Sequence, residues 1–280
     1  MNSSLNQCFA GKHPGNSGNH RGARRLISRQ LLQAETSIGE CSSYRMTSYP
    51  LNRFSYGNCA MLNALLFDLD GTLTDTDALH LQAMQQLLLE EDGRVFTKAE
   101  FEAHVSGQAN AAMCRYLFPE RSVAEHEAFA DRKEQRFRQL SAHLTPIAGL
   151  VRLLDFAQEQ AIGVAVVTNA PRANAEHMLQ ALALRERFEH VVVAEELPRA
   201  KPDPLPYLTG LQRLQASAEV SLAFEDSIPG LTAAVKAGIF TVGLVTSQRR
   251  ETLLAAGAHL VIEDFNDPQL WAVIDRMAGR

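Results

Sequence analysis

The stretch Leu65–His80, "LLFDLDGTLTDTDALH", runs three apolar residues into two aspartates one position apart, followed by Gly71. An apolar run that short, stopped by polar and glycine residues, reads as a buried strand. Two carboxylates placed so close repel each other, so a cation or a bound group must compensate them wherever that strand ends. That requirement narrows the folds to those in which strand ends gather polar side chains.

The rest of the chain supplies such a fold. Strands are expected at Leu62–Phe67, Ile162–Thr168, Val191–Ala194, Ser221–Phe224, Thr241–Leu244 and His259–Ile262. Helical patterns fall between them at 149–160, 172–182, 204–214, 230–237, 248–256 and 267–277. Near-continuous apolar strands alternating with amphipathic helices predict an α/β fold, a Rossmann-like doubly wound parallel sheet covered on both faces. One interval breaks the alternation. Between Asp75 and Thr145 only helical patterns occur, at 79–89, 98–105, 109–117 and 124–140. A helical insert after the first strand lies over the carboxyl ends of the strands, where open α/β sheets bind ligands, and is expected to act as a cap. The expected division is a core of residues 61–75 and 146–280, a helical cap of 76–145, and an extension of 1–60.

That extension differs in composition. It holds seven Lys/Arg against Glu35 and Glu40, leaving 20 basic and 30 acidic residues for the remainder. Rich in Ser, Asn and Gly and without a hydrophobic period, it reads as a disordered arm or a start upstream of the native one; an organellar transit segment is the alternative. Three of the four cysteines lie in it, so the body, with Cys114 alone, holds no disulfide framework or cysteine zinc site. A net charge of −5 and 46% hydrophobic residues exclude the basic face of a nucleic-acid binder, and no apolar run approaches a bilayer span. A cytoplasmic monomer is expected.

Polar residues recur at the strand ends. Asp68-Leu69-Asp70-Gly71-Thr72 follows the first, Thr168-Asn169-Ala170-Pro171 the second, and Glu225-Asp226-Ser227 the strand ending at Phe224, while Lys201-Pro202-Asp203-Pro204 precedes a helix. Four carboxylates, a hydroxyl and a lysine would share one crevice. An oxygen-rich, cysteine-free set favours a hard cation such as Mg²⁺, which commonly completes its shell with a substrate phosphate. An aspartate beside such an ion can attack phosphorus, and a carboxyl two positions on can exchange protons with the leaving group. Ser227 also suits the N-cap of the next helix.

The four motifs "DLDGT", "VTNA", "KPDP" and "FEDS", in this order over about residues 62–280, resemble the haloacid dehalogenase superfamily of phosphohydrolases, and the insert looks like its C1-type cap. The resemblance implies that Asp68 is the nucleophile that becomes an aspartyl phosphate. It makes Asp70 the general acid/base and a metal ligand through its main-chain carbonyl, Thr168 a phosphate-binding residue with Asn169 beside it, and Lys201 the charge balancer. Asp226 becomes a Mg²⁺ ligand, with Glu225 a ligand or the residue behind one. Gly71 provides the tight turn of an anion-binding loop.

Within the family, the chain resembles sugar-phosphate phosphatases, phosphoglycolate phosphatases and β-phosphoglucomutase. His80 falls where the mutases keep a closure histidine, the plain alternative being a surface histidine at a helix start. Lys133 matches a cap lysine that contacts substrate phosphate, the alternative being a solvated helical charge. Asn110 stands where mutases place an arginine for a second phosphate, and an amide cannot clamp a dianion as a guanidinium does. The expectation is a Mg²⁺-dependent phosphatase of small phosphorylated metabolites, sugar phosphates foremost, with mutase or phosphoglycolate phosphatase as alternatives. A non-catalytic binding module is disfavoured by the intact carboxylate set.

Overall fold

A computed structural model describes residues 61–280; the expectations for residues 1–60, including Cys8, Cys41 and Cys59, lie outside the described residues. The first strand, β1 (Ala64–Phe67), is buried at all four positions. Side chains alternate across a strand, and here they separate cleanly. Leu65 and Phe67 join one apolar cluster, while Ala64 and Leu66 join another on the opposite face. A strand with no polar face must be covered on both sides, which is why the chain alternates strand and helix.

The remaining strands are β2 (Gly163–Thr168), β3 (His190–Val193), β4 (Ser221–Glu225), β5 (Phe240–Leu244) and β6 (Leu260–Ile262). All pair in parallel, in the order β3-β2-β1-β4-β5-β6. Sequence order therefore reverses at β1, and the crevice lies over the ends of β1, β2 and β4. Helices α1 to α4 are Asp77–Asp92, Lys98–His104, Asn110–Leu117 and Val123–Leu140; α5 to α7 are Leu150–Glu159, Arg172–Ala181 and Leu205–Arg213; α8 to α10 are Ile228–Lys236, Arg250–Ala255 and Pro268–Met277. The face of Leu65 and Phe67 packs against α5, α6 and α10 through Leu153, Met178 and Ile274. The face of Leu66 packs against α7 and α8 through Tyr207 and Ala233.

Helices α1–α4 follow β1 with no strand among them and share an apolar cluster of their own, including Met84, Phe101, Met113 and Phe129. Capping boxes start two of them. Thr97 exchanges side-chain and backbone hydrogen bonds with Glu100, and Ser122 does the same with Glu125. In α4 the buried residues are Phe129, Ala130, Lys133, Glu134 and Phe137, a stripe at helical spacing. Phe129 belongs to the cluster of the insert and Phe137 to the cluster over the sheet. The two charged residues between them are thus carried into the seam.

Helix limits differ from the sequence reading where a terminus serves the crevice. α8 begins at Ile228 rather than 230 because the Ser227 side chain caps it, accepting from Gly230 N at 3.2 Å. α9 begins only at Arg250, since the preceding segment is held elsewhere: Thr246 Oγ1 donates to the carbonyl of Gly71 and Ser247 Oγ to Asp226.

Candidate active site

Parallel register brings the motif residues together. Phe67 pairs with Val166 on one side and Phe224 on the other, so Asp68 and Glu225 stand at one level at the ends of neighbouring strands, with Thr168 one residue further along β2. Asp68, Glu225 and Asp226 are buried, and each offers a carboxylate oxygen within 4.8 Å of the others. Lys201, 4% exposed, donates from Nζ to Asp68 Oδ1 at 2.5 Å and to Glu225 Oε1 at 2.6 Å.

One ammonium cannot neutralise three carboxylates. Burial first, then the charge of Glu225, push the Asp68 carboxyl up to about 8 despite Lys201. Burial and the charges of Asp68 and Glu225 carry Asp226 well above the usual range too. Burial alone would lower the Lys201 pKa, but the two facing carboxylates raise it, so it stays charged. The cluster is short of positive charge, and its ligands are all oxygen. That donor set fits a hard divalent cation such as Mg²⁺.

The surroundings leave room for such an ion by design of the backbone. Gly71 has φ +71°, and a Cβ there would lie 2.0 Å from Asp226 Oδ2 and 2.9 Å from Ser247 Oγ. Asp226 is steadied by Thr72 Oγ1 at 3.3 Å and by Ser247. Glu225 is more fully occupied: besides Lys201, it accepts from Tyr207 Oη at 2.7 Å and from Ser227 Oγ at 3.2 Å. Three donors, Lys201 among them, hold this carboxylate in place.

Asp70 lies in a different environment. Its Oδ1 accepts from Thr76 Oγ1 at 2.6 Å and bonds His80 Nε2 at 2.9 Å. Burial alone would raise its carboxyl, but His80 and these two hydrogen bonds outweigh burial and hold it below the usual range. His80 Nδ1 in turn lies 3.0 Å from Lys133 Nζ, and Lys133 Nζ lies 2.9 Å from Glu134 Oε1. An ammonium has donors only, so Nδ1 accepts and the ring proton sits on Nε2, pointing at Asp70. The ring also stacks on Phe137, with centroids 3.8 Å apart and planes 3° apart. The surface histidine and the solvated lysine weighed from the sequence are therefore both wrong: His80 is 9% and Lys133 5% exposed.

Thr168, 1% exposed, lines the same cavity as Asp68, Asp70, Asn110 and Lys133. Asn169 lines this cavity as well, and its side chain is also bonded on both sides. Its Nδ2 donates to the Gly107 carbonyl at 3.2 Å and its Oδ1 accepts from Lys201 N at 3.2 Å, so it ties two loops together. Sequence reasoning passed over Thr76, Tyr207, Ser247, Glu134 and Asn174. Ser247 closely follows β5 and could have been found by inspecting every strand end. Glu134 and Asn174 lie within stretches already singled out, beside Lys133 and in "VTNAPRANAE".

Residues 65–244 match the haloacid dehalogenase-like hydrolase family. The chain is 30% identical over 213 residues to validoxylamine A 7'-phosphate phosphatase of Streptomyces hygroscopicus subsp. limoneus, covering 74% of this chain and 96% of the relative. It is 31% identical over 206 residues to the phosphorylated carbohydrates phosphatase of Thermotoga maritima, covering 72% and 94%. The crystal structure of CbbY from Rhodobacter sphaeroides in complex with phosphate superposes with a TM-score of 0.68 at 25% identity, covering 74% of this chain and 96% of that one.

Proposed function

Because this chain belongs to the haloacid dehalogenase-like hydrolases, we propose that it is a Mg²⁺-dependent phosphatase of small phosphorylated metabolites, sugar phosphates foremost, working through an aspartyl phosphate on Asp68. The observation that carries this reading is the buried cluster in which Asp68 faces one lysine and two further carboxylates beside Thr168. Under this reading residues 76–145 form a cap over a core of 61–75 and 146–280.

Asp68 attacks phosphorus, and the bond from phosphorus to the leaving oxygen breaks. Lys201 screens the negative charge that nucleophile and phosphoryl group bring together, and the Thr168 hydroxyl binds a phosphoryl oxygen. A Mg²⁺ held by Asp68, Asp226 and the Asp70 carbonyl would supply the remaining positive charge and orient the phosphoryl oxygens. Glu225 positions Lys201. Asp70, anionic in the free site, takes up one proton with the incoming phosphate ester, whose added negative charge raises its carboxyl, and passes that proton to the leaving oxygen. In the second half Asp70, held anionic by His80 and Thr76, takes a proton from the water that attacks phosphorus, and Asp68 is released.

A mutase must keep a bisphosphate bound while it turns over. Asn110 lines the cavity as a neutral amide and Lys133 is shared between Glu134 and His80, so neither position offers a guanidinium fork for a second phosphate. Hydrolysis is the better fit. Among the described residues no helix is long and apolar enough to cross a membrane, and the chain is read as a cytoplasmic enzyme acting alone. The test is phosphate release from p-nitrophenyl phosphate with Mg²⁺ and after chelation. Turnover that survives exhaustive chelation would refute the metal assignment, and none under either condition would refute the phosphatase.

A further inference from the structure

The cavity wall away from the Asp68 cluster is governed by a carboxylate that belongs to none of the four motifs. Glu134, 5% exposed, accepts from Lys133 Nζ at 2.9 Å through Oε1 and from Asn174 Nδ2 at 2.5 Å through Oε2. Asn110 lines the same cavity. Arg138 bonds Asn174 Oδ1 at 2.6 Å, which fixes that amide with its NH₂ toward Glu134. Burial alone would raise the Glu134 carboxyl, but the charge of Lys133 and the hydrogen bond it donates outweigh burial and hold the group below the usual carboxylate range. The lysines that line the cavity, Lys133 and Lys201, are each bonded to a carboxylate. Asp77, bonded by Ser106 Oγ at 3.2 Å, adds another acid to the lining.

We propose that Glu134 is a specificity-determining residue: by engaging Lys133 and Asn174, it reserves this end of the cavity for an uncharged, hydroxyl-bearing leaving group and turns away substrates with a second anion. This rests on the phosphatase reading above. A carboxylate or second phosphate placed there meets Glu134 and Asp77 with no unmatched lysine in the lining, and like charges in a partly buried site repel strongly. Hydroxyl groups suit the same wall, since they donate to carboxylates and accept from the ammonium and the amides. One of the three Lys133 donors lies beyond its bonds to His80 and Glu134.

The test compares two probes of one size, glycerol 3-phosphate and 3-phosphoglycerate, which differ by a carboxylate. The wild-type enzyme should favour glycerol 3-phosphate in kcat/KM by about tenfold or more. Glu134→Gln should cut that preference by about tenfold, chiefly through KM for the acid, whereas Glu134→Asp, which keeps the charge, should retain it. Calorimetric Kd values for both probes, taken with Mg²⁺ on Asp68→Asn and on Asp68→Asn with Glu134→Gln, read the same selectivity without turnover. They also separate the two failures. No release from p-nitrophenyl phosphate refutes the phosphatase, whereas equal use of both probes, or a Kd ratio unmoved by Glu134→Gln, overturns the role of Glu134. A Glu134→Asp enzyme with the selectivity of Glu134→Gln overturns it as well.

Discussion

Lys201 Nζ and Asp68 Oδ1 lie 2.5 Å apart, with the two side chains 2% and 10% exposed. A pair so buried is costly to break from one side. Lys201→Met leaves the buried Glu225 without its cation, beside an Asp68 that holds its proton until about pH 8, and should destabilise the metal-free protein by roughly 3–5 kcal/mol near neutral pH. It should also abolish phosphate release. Thermal melts with and without Mg²⁺ check the first part, and a variant as stable as the parent in chelator would show that the pair contributes nothing.

Stability without metal should fall as pH rises. Asp68 is pushed up to about 8 from an ordinary value of 3.8, and Asp226 is raised in the same direction. The folded protein therefore holds protons that the unfolded chain releases. Their contribution is fully present below about pH 4 and is lost as pH climbs through about 8. Mg²⁺ replaces those protons, so its stabilising effect should be small near pH 5 and large near pH 8. Melting curves in chelator and in Mg²⁺ across that range decide it; a Mg²⁺ shift of equal size at both ends would be inconsistent with the raised carboxyls.

Gly71→Ala should damage the site more than the fold. The added Cβ would fall 2.0 Å from Asp226 Oδ2 at a backbone φ of +71°. Asp226 must then move away from Asp68, and a shift of about an ångström at a reacting centre can cost roughly 10²-fold in rate. The expected result is a folded protein with a weakened Mg²⁺ requirement curve and little turnover. Parental kcat/KM in this variant would show that Asp226 has no fixed place.

The choice between hydrolysis and isomerisation is open to one assay. With β-glucose 1-phosphate and a trace of the bisphosphate, free phosphate should appear and glucose 6-phosphate should not, because Asn110 is a neutral amide and Lys133 is committed to His80 and Glu134. Rapid glucose 6-phosphate with little phosphate would establish the mutase instead.

What could be read in the sequence divides along physical lines. The strands and their parallel, doubly covered sheet were readable because β1 and its neighbours are apolar on both faces, the pattern of a covered parallel sheet. Asp68, Asp70, Lys201 and Asp226 were readable because each follows a strand end or opens a helix, where local pattern and chemistry coincide. Glu134 escaped notice because its meaning depends on a partner 40 residues away, Asn174, on another helix. For Lys133 a solvated charge stayed open beside the substrate-contacting lysine for the same reason: α4 is rich in polar residues, and only the packing of Phe129 and Phe137 into separate clusters turns Lys133 inward. Asn169 shows the converse, a motif residue whose side chain is taken up by loops that the sequence could not bring together.

The account turns on whether Asp68 carries the phosphoryl group. Quenching the enzyme during turnover with Mg²⁺ and substrate, reducing with borohydride and sequencing by mass spectrometry reads this directly, because reduction converts an aspartyl phosphate into homoserine. Homoserine should appear at position 68 and nowhere else, should require both Mg²⁺ and substrate, and should vanish in Asp68→Asn together with at least about 10³-fold of the activity. Full turnover with an unmodified Asp68, or with substantial activity in Asp68→Asn, would contradict the account.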